Sequence, residues 1–312
     1  MEGLQDARIE DPGLASTSPP GPTCATAHAT AIVNQRRVAV PLPPANQARC
    51  RDSSATPFLC LIRWAERDKS VRIPVLQGLI ERRVLANYRI DADVARRVIP
   101  APFRPKVVHG YAIGGICLIR LRGVRPRRLP IPIGINSENC AHRFAVEWDT
   151  PNGPKEGVFI PRRDTSSSIN ALVGGRIFPG VHHRADFTVR ESATSIAVAL
   201  RSNDGRTCVD VQADVAAQFP SDSIFRTLAE ASSFFEAGSL GYSVTSRPGT
   251  FDGLELRTAD WSVQPLSVRH VQSTFFEDSS HFPTGSVVFD CALLMRDIKH
   301  EWHGREELRE SA

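Results

Sequence analysis

The chain has 312 residues, 41% of them hydrophobic, with 34 Arg against 4 Lys and a formal net charge of +4. That length fits one large domain or two small ones and supplies a substantial core. The arginines are scattered in a way that suits a GC-rich genome. With no dense Lys/Arg run and no aromatic–basic motif they argue against a nucleic-acid partner, and no apolar run reaches the roughly 18 residues of a membrane span.

Residues 1–70 open on a Pro/Ala/Ser/Thr-rich stretch, including "STSPPGPTCATAHATA" and "VPLPPANQARC", with no helical or strand period. Such a segment buries too little apolar surface to offset its ordering entropy. It reads either as a disordered arm or as an over-extension upstream of a start at Val71. The N-terminus lacks the charged-then-apolar pattern of a secretory signal. From 71 the texture changes, and a single domain is expected over 71–303 with a frayed tail at 304–312.

Asp91 can cap a short helix over 92–99, which Pro100 and Pro102 end. Strands are expected at 111–124, where the pair Gly114–Gly115 suggests a bulge, at 140–150 and at 156–163. A short helix follows near 169–176. Strands resume over 181–192 and 194–215, the latter folded by the turn Asn203-Asp204-Gly205. One amphipathic helix spans 222–236, and strands return at 251–258, 264–273 and 286–296. Many short strands and few helices predict a mainly β fold: an antiparallel barrel or cone with short packed helices.

Seven scattered cysteines, none at C-x-x-C spacing, read as reduced thiols in a cytoplasmic protein rather than as a zinc or disulfide framework. There is no G-x-G-x-x-G after a strand, no P-loop and no G-x-S-x-G elbow. "HEWH" at 300–303 is not H-E-x-x-H. No cofactor and no metal are expected.

The stretch "RRVLANYRIDADVARRVIPAPFRPKVVHGYAIGGICLIRLRGVRP", the strand "SENCAHRFAVEW" and the segment "GGRIFPGVHHRADF" stand in an order that resembles the acetoacetate-decarboxylase-like superfamily, in particular its uncharacterised YqjF-like branch. The resemblance covers about 82–300. It implies a β-barrel or cone around an apolar pocket that takes a small carbonyl or carboxylate compound, in proteins that are often homo-oligomers. True decarboxylases carry G-R-E-x-x-G-[FY]-P-K-K here, where the first lysine forms an imine and the second lowers its pKa. In this chain His183 and Arg184 stand at those two positions. An imidazole forms no imine and an arginine stays protonated, so Schiff-base decarboxylation is not expected.

On the same resemblance, His183 is a candidate proton carrier and Glu138 its candidate partner. Arg143 and Arg176 are candidate anion clamps, with His182, Arg184 and Tyr111 as further candidates for substrate contact. His182 and His183 occupy successive strand positions, so only one of them can point into the pocket. Each of these residues has a structural alternative: a buried, hydrogen-bonded histidine, a surface carboxylate, or an ion-paired arginine. The readings left open are a lyase, hydratase or isomerase without an imine step, a non-catalytic small-molecule-binding barrel, and a decarboxylase using some other lysine.

Overall fold

The computed structural model describes residues 74–128, 134–173 and 180–310. The arm expected at 1–70 lies outside them. Apolar residues rich in Val, Ile and Leu draw the first described segment into β1 (Leu76–Asp91). Asp91 ends that strand and caps α1 (Ala92–Val98), its carboxylate accepting from the amides of Asp93 and Val94 at 2.8 and 3.0 Å. Two short strands, β2 (Arg104–Pro105) and β3 (Val107–Val108), lead into β4 (Tyr111–Pro126), β5 (Ile135–Thr150) and β6 (Gly153–Thr165).

After α2 (Ser168–Val173) come β7 (His183–Glu191), β8 (Ser195–Ser202) and β9 (Cys208–Val215), with β8 and β9 forming a hairpin through the Asn-Asp-Gly turn. The helix expected from 222 starts later, as α3 (Leu228–Ala237). The Thr227 hydroxyl caps it by accepting from the Glu230 amide at 3.1 Å. Phe225 is buried just ahead of the helix. β10 (Leu240–Val244), β11 (Thr250–Thr258), β12 (Gln264–Ser273) and β13 (Val287–Arg309) complete the fold. The last strand runs on past the point where a tail was expected, because β11 pairs with it as far as Thr250 opposite Arg309.

The strands join in two closed hydrogen-bonded rings that share a wall. The wall is β13-β1-β4-β5-β6. One ring continues from β6 through β7, β8, β9 and β12 back to β13. The other continues from β6 through β10 and β11 back to β13. The first ring thus has nine strands and the second seven. Most neighbours are antiparallel, and the two parallel pairings, β6 with β7 and β6 with β10, both fall on the strand where the rings part.

Side chains alternate across the wall. Val84, Ala86, Ile116, Leu118 and Phe144 face the largest apolar cluster, together with residues of β8 and β9. Leu85, Cys117, Ala141 and Ile160 face the opposite way and pack beneath α3.

The glycine pair of β4 is not a bulge: Ile113, Gly114 and Gly115 pair in unbroken register with Arg89, Tyr88 and Asn87. Those glycines serve close approach. A Cβ on Gly114 would sit 2.5 Å from Ile90 Cδ1, and one on Gly115 would sit 2.7 Å from the Ala86 carbonyl. The irregularity lies on the other side of β1, where the register with β13 slips between Asn87 and Tyr88.

Candidate functional site

The seven-stranded ring encloses a cavity of about 340 Å³. Apolar side chains of the wall and of β11 line much of it, among them Ile119, Leu121, Val158, Ile160, Leu254 and Leu256, with Phe235, Trp261 and Trp302 at its margins. Into this lining project Arg83 from β1, Arg143 from β5 and Arg163 from β6, with His182 entering just before β7. Among the described residues no carboxylate pairs with any of the three arginines, and the lining contains no lysine.

Their contacts are weaker ones. Arg83 Nε donates to Cys117 Sγ at 3.4 Å, and its guanidinium lies 5.8 Å from the Trp261 ring centre. Arg143 is 4% exposed; it donates to Asn87 Oδ1 at 2.6 Å, lies 5.0 Å from the Phe235 ring centre and leaves its Nε without an acceptor. Arg163 donates from Nε to the Ser243 hydroxyl at 2.8 Å. Burial lowers the pKa of Arg143 and of Arg163 to about 10, and the charge of Arg83 adds to the effect on Arg143. Arg143 is thus a cation held in a low-dielectric place, with no carboxylate partner among the described residues.

Gly180 sets the entry of the histidine pair. Its φ is +83°, and a Cβ there would lie 2.4 Å from Ser243 Cβ, so only glycine fits. His182 then turns into the cavity, with Nδ1 3.2 Å from the Gly180 carbonyl. Since a carbonyl can only accept, that contact assigns a ring proton to Nδ1. Burial, followed by the charge of Arg163, lowers its pKa to about 3, so His182 is neutral at pH 7.

His183 does not line the cavity. Its Nδ1 lies 3.3 Å from Asp204 Oδ2, its side chain is 34% exposed, and the inward register is therefore that of His182. Glu138 is also absent from the lining. It faces the nine-stranded ring and accepts from Arg82 at 2.5 Å and from Arg120. The expected His183–Glu138 pair is not formed, since each is engaged elsewhere.

Arg184 turns its guanidinium to the backbone carbonyls of Thr165, Ser166 and Ala185. Tyr111 is 43% exposed and outside the lining, at the mouth of β4. Arg143 and His182 line the cavity, and Arg176 lies outside the described residues. Among the described lysines, Lys106 lines a small side pocket with Arg83 and Arg143. Its ammonium is paired with Glu156 and lies 4.8 Å from the Phe234 ring centre.

Sequence reasoning missed Arg83, Arg163 and the buried Asn170 of the lining. A signal for the two arginines was present. Arg82-Arg83 and Arg162-Arg163 are doublets inside strands, and a doublet must send one side chain to each face. The thiols of Cys117, Cys140 and Cys291 are free and buried. Among the described residues no helix is long and apolar enough to cross a membrane, and no cluster of three metal-ligating side chains occurs.

A family model described as DUF2071, uncharacterized conserved protein, matches residues 80–288. No curated protein matches the chain. Among solved structures, acetoacetate decarboxylase from Legionella pneumophila subsp. pneumophila str. Philadelphia 1 is 10% identical, covers 82% of this chain and 97% of its own, and superposes with a TM-score of 0.51. An acetoacetate decarboxylase-like enzyme from Sphingomonas wittichii RW1 is 10% identical over 77% of this chain and 95% of its own, with a TM-score of 0.49. The enduracididine biosynthesis enzyme MppR complexed with pyruvate is 13% identical over 79% and 93%, with a TM-score of 0.46.

Proposed function

Because this chain belongs to the DUF2071 family of uncharacterized conserved proteins and has the acetoacetate-decarboxylase-like fold, we propose that it binds a small carboxylate in the cavity of the seven-stranded ring and works on it without an imine. One observation carries this reading. Arg83, Arg143 and Arg163 enter one cavity, and among the described residues none has a carboxylate partner. A buried guanidinium without a counter-ion is costly, and an anionic ligand supplies that counter-ion with bidentate geometry.

The chemistry within reach is proton transfer next to a carbonyl, as in hydration, dehydration or isomerisation. His182 is the proton acceptor through Nε2. Its basicity is suppressed by burial and by Arg163 in the empty cavity. A carboxylate bound to Arg163 cancels part of that repulsion and raises the imidazole's pKa from this low value, so the substrate strengthens its own base. A binding-only role is the second reading. It is favoured by Asp164, the buried carboxylate of the lining, which is chelated by Arg162 at 2.7–3.1 Å and so is not free to serve as a second acid or base.

Calorimetric titration with levulinate and with its methyl ester tests the proposal. The acid is expected to bind and the ester to bind at least tenfold more weakly, and Arg143→Met should weaken the acid by a similar factor. Equal binding of acid and ester would overturn it. Borohydride treatment with acetoacetate is expected to leave no covalent adduct, since no described residue of the lining is a lysine. A trapped amine would return the protein to imine chemistry.

A further inference from the structure

The cations of the cavity are divided between two ends, and from this we infer that the natural ligand is a dicarboxylate, held by one acidic group at each end. This rests on the carboxylate-binding reading above and narrows it. At the first end are Arg83 and Arg143. Their guanidinium groups lie against Trp261 and Phe235, Trp261 donates to Ser232 of α3, and Phe235 is itself in α3. Both arginines also line the small side pocket beneath that helix, and Arg163 does not. At the second end, Arg163 reaches toward β10, where it meets the Ser243 hydroxyl, and its charge acts on His182. The backbones of Arg83 and Arg163 are separated by β4 and β5, three strand spacings or about 14 Å. A ligand with an acidic group for each end gives both sets of arginines a counter-ion.

The charge balance agrees. Arg83, Arg143 and Arg163 have no carboxylate partner among the described residues, whereas Asp164 is held by Arg162 and Arg257 by Glu255 at 2.9 Å. A ligand with two acidic groups compensates more of this charge than a ligand with one. The apolar lining, Ile119, Val158 and Ile160 among it, suits a methylene chain rather than a polar bridge.

The test is a titration series: succinate, glutarate and adipate, each against the monoacid of equal carbon count, namely butyrate, valerate and hexanoate. Sulfate serves as a dianion with its charge on one centre. At least one diacid is expected to bind ten times more tightly than its monoacid, and sulfate is expected to bind no better than a monoacid. Arg163→Met should bring that diacid to within about twofold of its monoacid, both measured on the variant. If monoacids bind and no diacid exceeds its partner, or if sulfate matches the best diacid, the two-ended ligand is overturned and carboxylate binding survives. If no acid binds, both fall. Should the variant not fold, the wild-type ratio of diacid to monoacid decides alone.

Discussion

Arg82 and Arg83 are neighbours in the chain and opposites in the fold. Arg82 is fully buried on the face of the nine-stranded ring, between Glu138 at 2.5 Å and Glu191 at 2.8 Å, and Arg120 spans the same two glutamates. Arg83, on the other face, meets a thiol and an indole. The doublet on β6 repeats the pattern: Arg162 holds Asp164 and Asp204, and Arg163 meets only a hydroxyl. One face is electrostatically closed and the other is open. The strand pleat sorts identical residue types into a structural set and a ligand-facing set, and the presence or absence of a carboxylate tells which is which.

Breaking the closed set should have the largest effect. Arg82→Met leaves Glu138 and Glu191 sharing Arg120 alone in a mostly buried place, and a loss of about 3 kcal/mol in urea unfolding is expected. Carboxylate binding should be unchanged, because Arg82 faces away from the cavity. A loss below about 1 kcal/mol would mean the network is dispensable, and the distinction between the faces would lose its energetic basis.

Acid separates the two faces in a second way. His142 is fully buried, and burial, then the charge of Arg162, lowers its pKa to about 3; His182 is lowered to about the same value. Both imidazoles are neutral in the native state, whereas in the unfolded chain they take up protons near pH 6.5. Their stability contribution is therefore complete above about pH 6.5 and falls as the pH drops toward 3. For His142 that amounts to about 2 kcal/mol by pH 5, and for the less buried His182 to less.

Glu191 acts in a lower window. Burial raises its pKa, but the hydrogen bond from Arg82 and the charges of Arg82 and Arg120 outweigh that and leave it below 4.5. Its contribution is present above about pH 4.5 and is lost only as the pH falls through the lower folded value. Urea unfolding of wild type should lose stability already between pH 7 and 5, and His142→Gln should flatten that segment while leaving the decline below pH 4.5 in place. An unchanged slope in the variant would contradict the assignment of neutral buried histidines.

Much of the fold was legible because local rules decided it. Asp91 as a cap, the Asn203-Asp204-Gly205 hairpin and the strand 264–273 follow from side-chain chemistry over a few residues. β10 gave no signal: its five residues include Gly241, kept small where it borders the cavity and Val158. The site was half legible. Arg143 and His182 were marked by resemblance and by position, but the resemblance put the inward register on His183. One residue of slip exchanges the faces, and the left-handed turn at Gly180 that sets the register depends on Ser243, 63 positions along the chain. Glu138 was drawn to the pocket by a family pattern, yet its partners Arg82 and Arg120 lie on neighbouring strands that only the folded sheet reveals.

Opening the closed set destabilises; removing a member of the open set should do the reverse. Arg163→Met replaces a half-buried cation that has no carboxylate partner among the described residues by an apolar chain of similar length, at the cost of one hydrogen bond to the buried Ser243 hydroxyl. A gain of about 1 kcal/mol in the ligand-free protein is expected in the same urea assay. A loss above about 1 kcal/mol would show that Arg163 is structural and would undercut the reading of an open face.

The smallest effect should fall on the histidine that sequence favoured. His183 is partly exposed, and its one charged contact is Asp204, which Arg162 holds at 2.8 Å and Ser202 at 2.6 Å whether or not the imidazole is present. Removing such a contact leaves no buried group unpaired, so His183→Ala should change unfolding free energy by no more than about 0.5 kcal/mol. Levulinate affinity should stay within twofold of wild type. His182→Gln keeps a hydrogen-bonding amide beside Gly180 but removes the proton acceptor at Nε2. It should retain binding within about tenfold while abolishing any turnover. Equal behaviour of the two variants would mean that the cavity does not distinguish its histidines. A larger loss from His183→Ala would place the working imidazole on the nine-stranded ring, beside Asp204 and Arg162, and move the search for the ligand to that face of the wall.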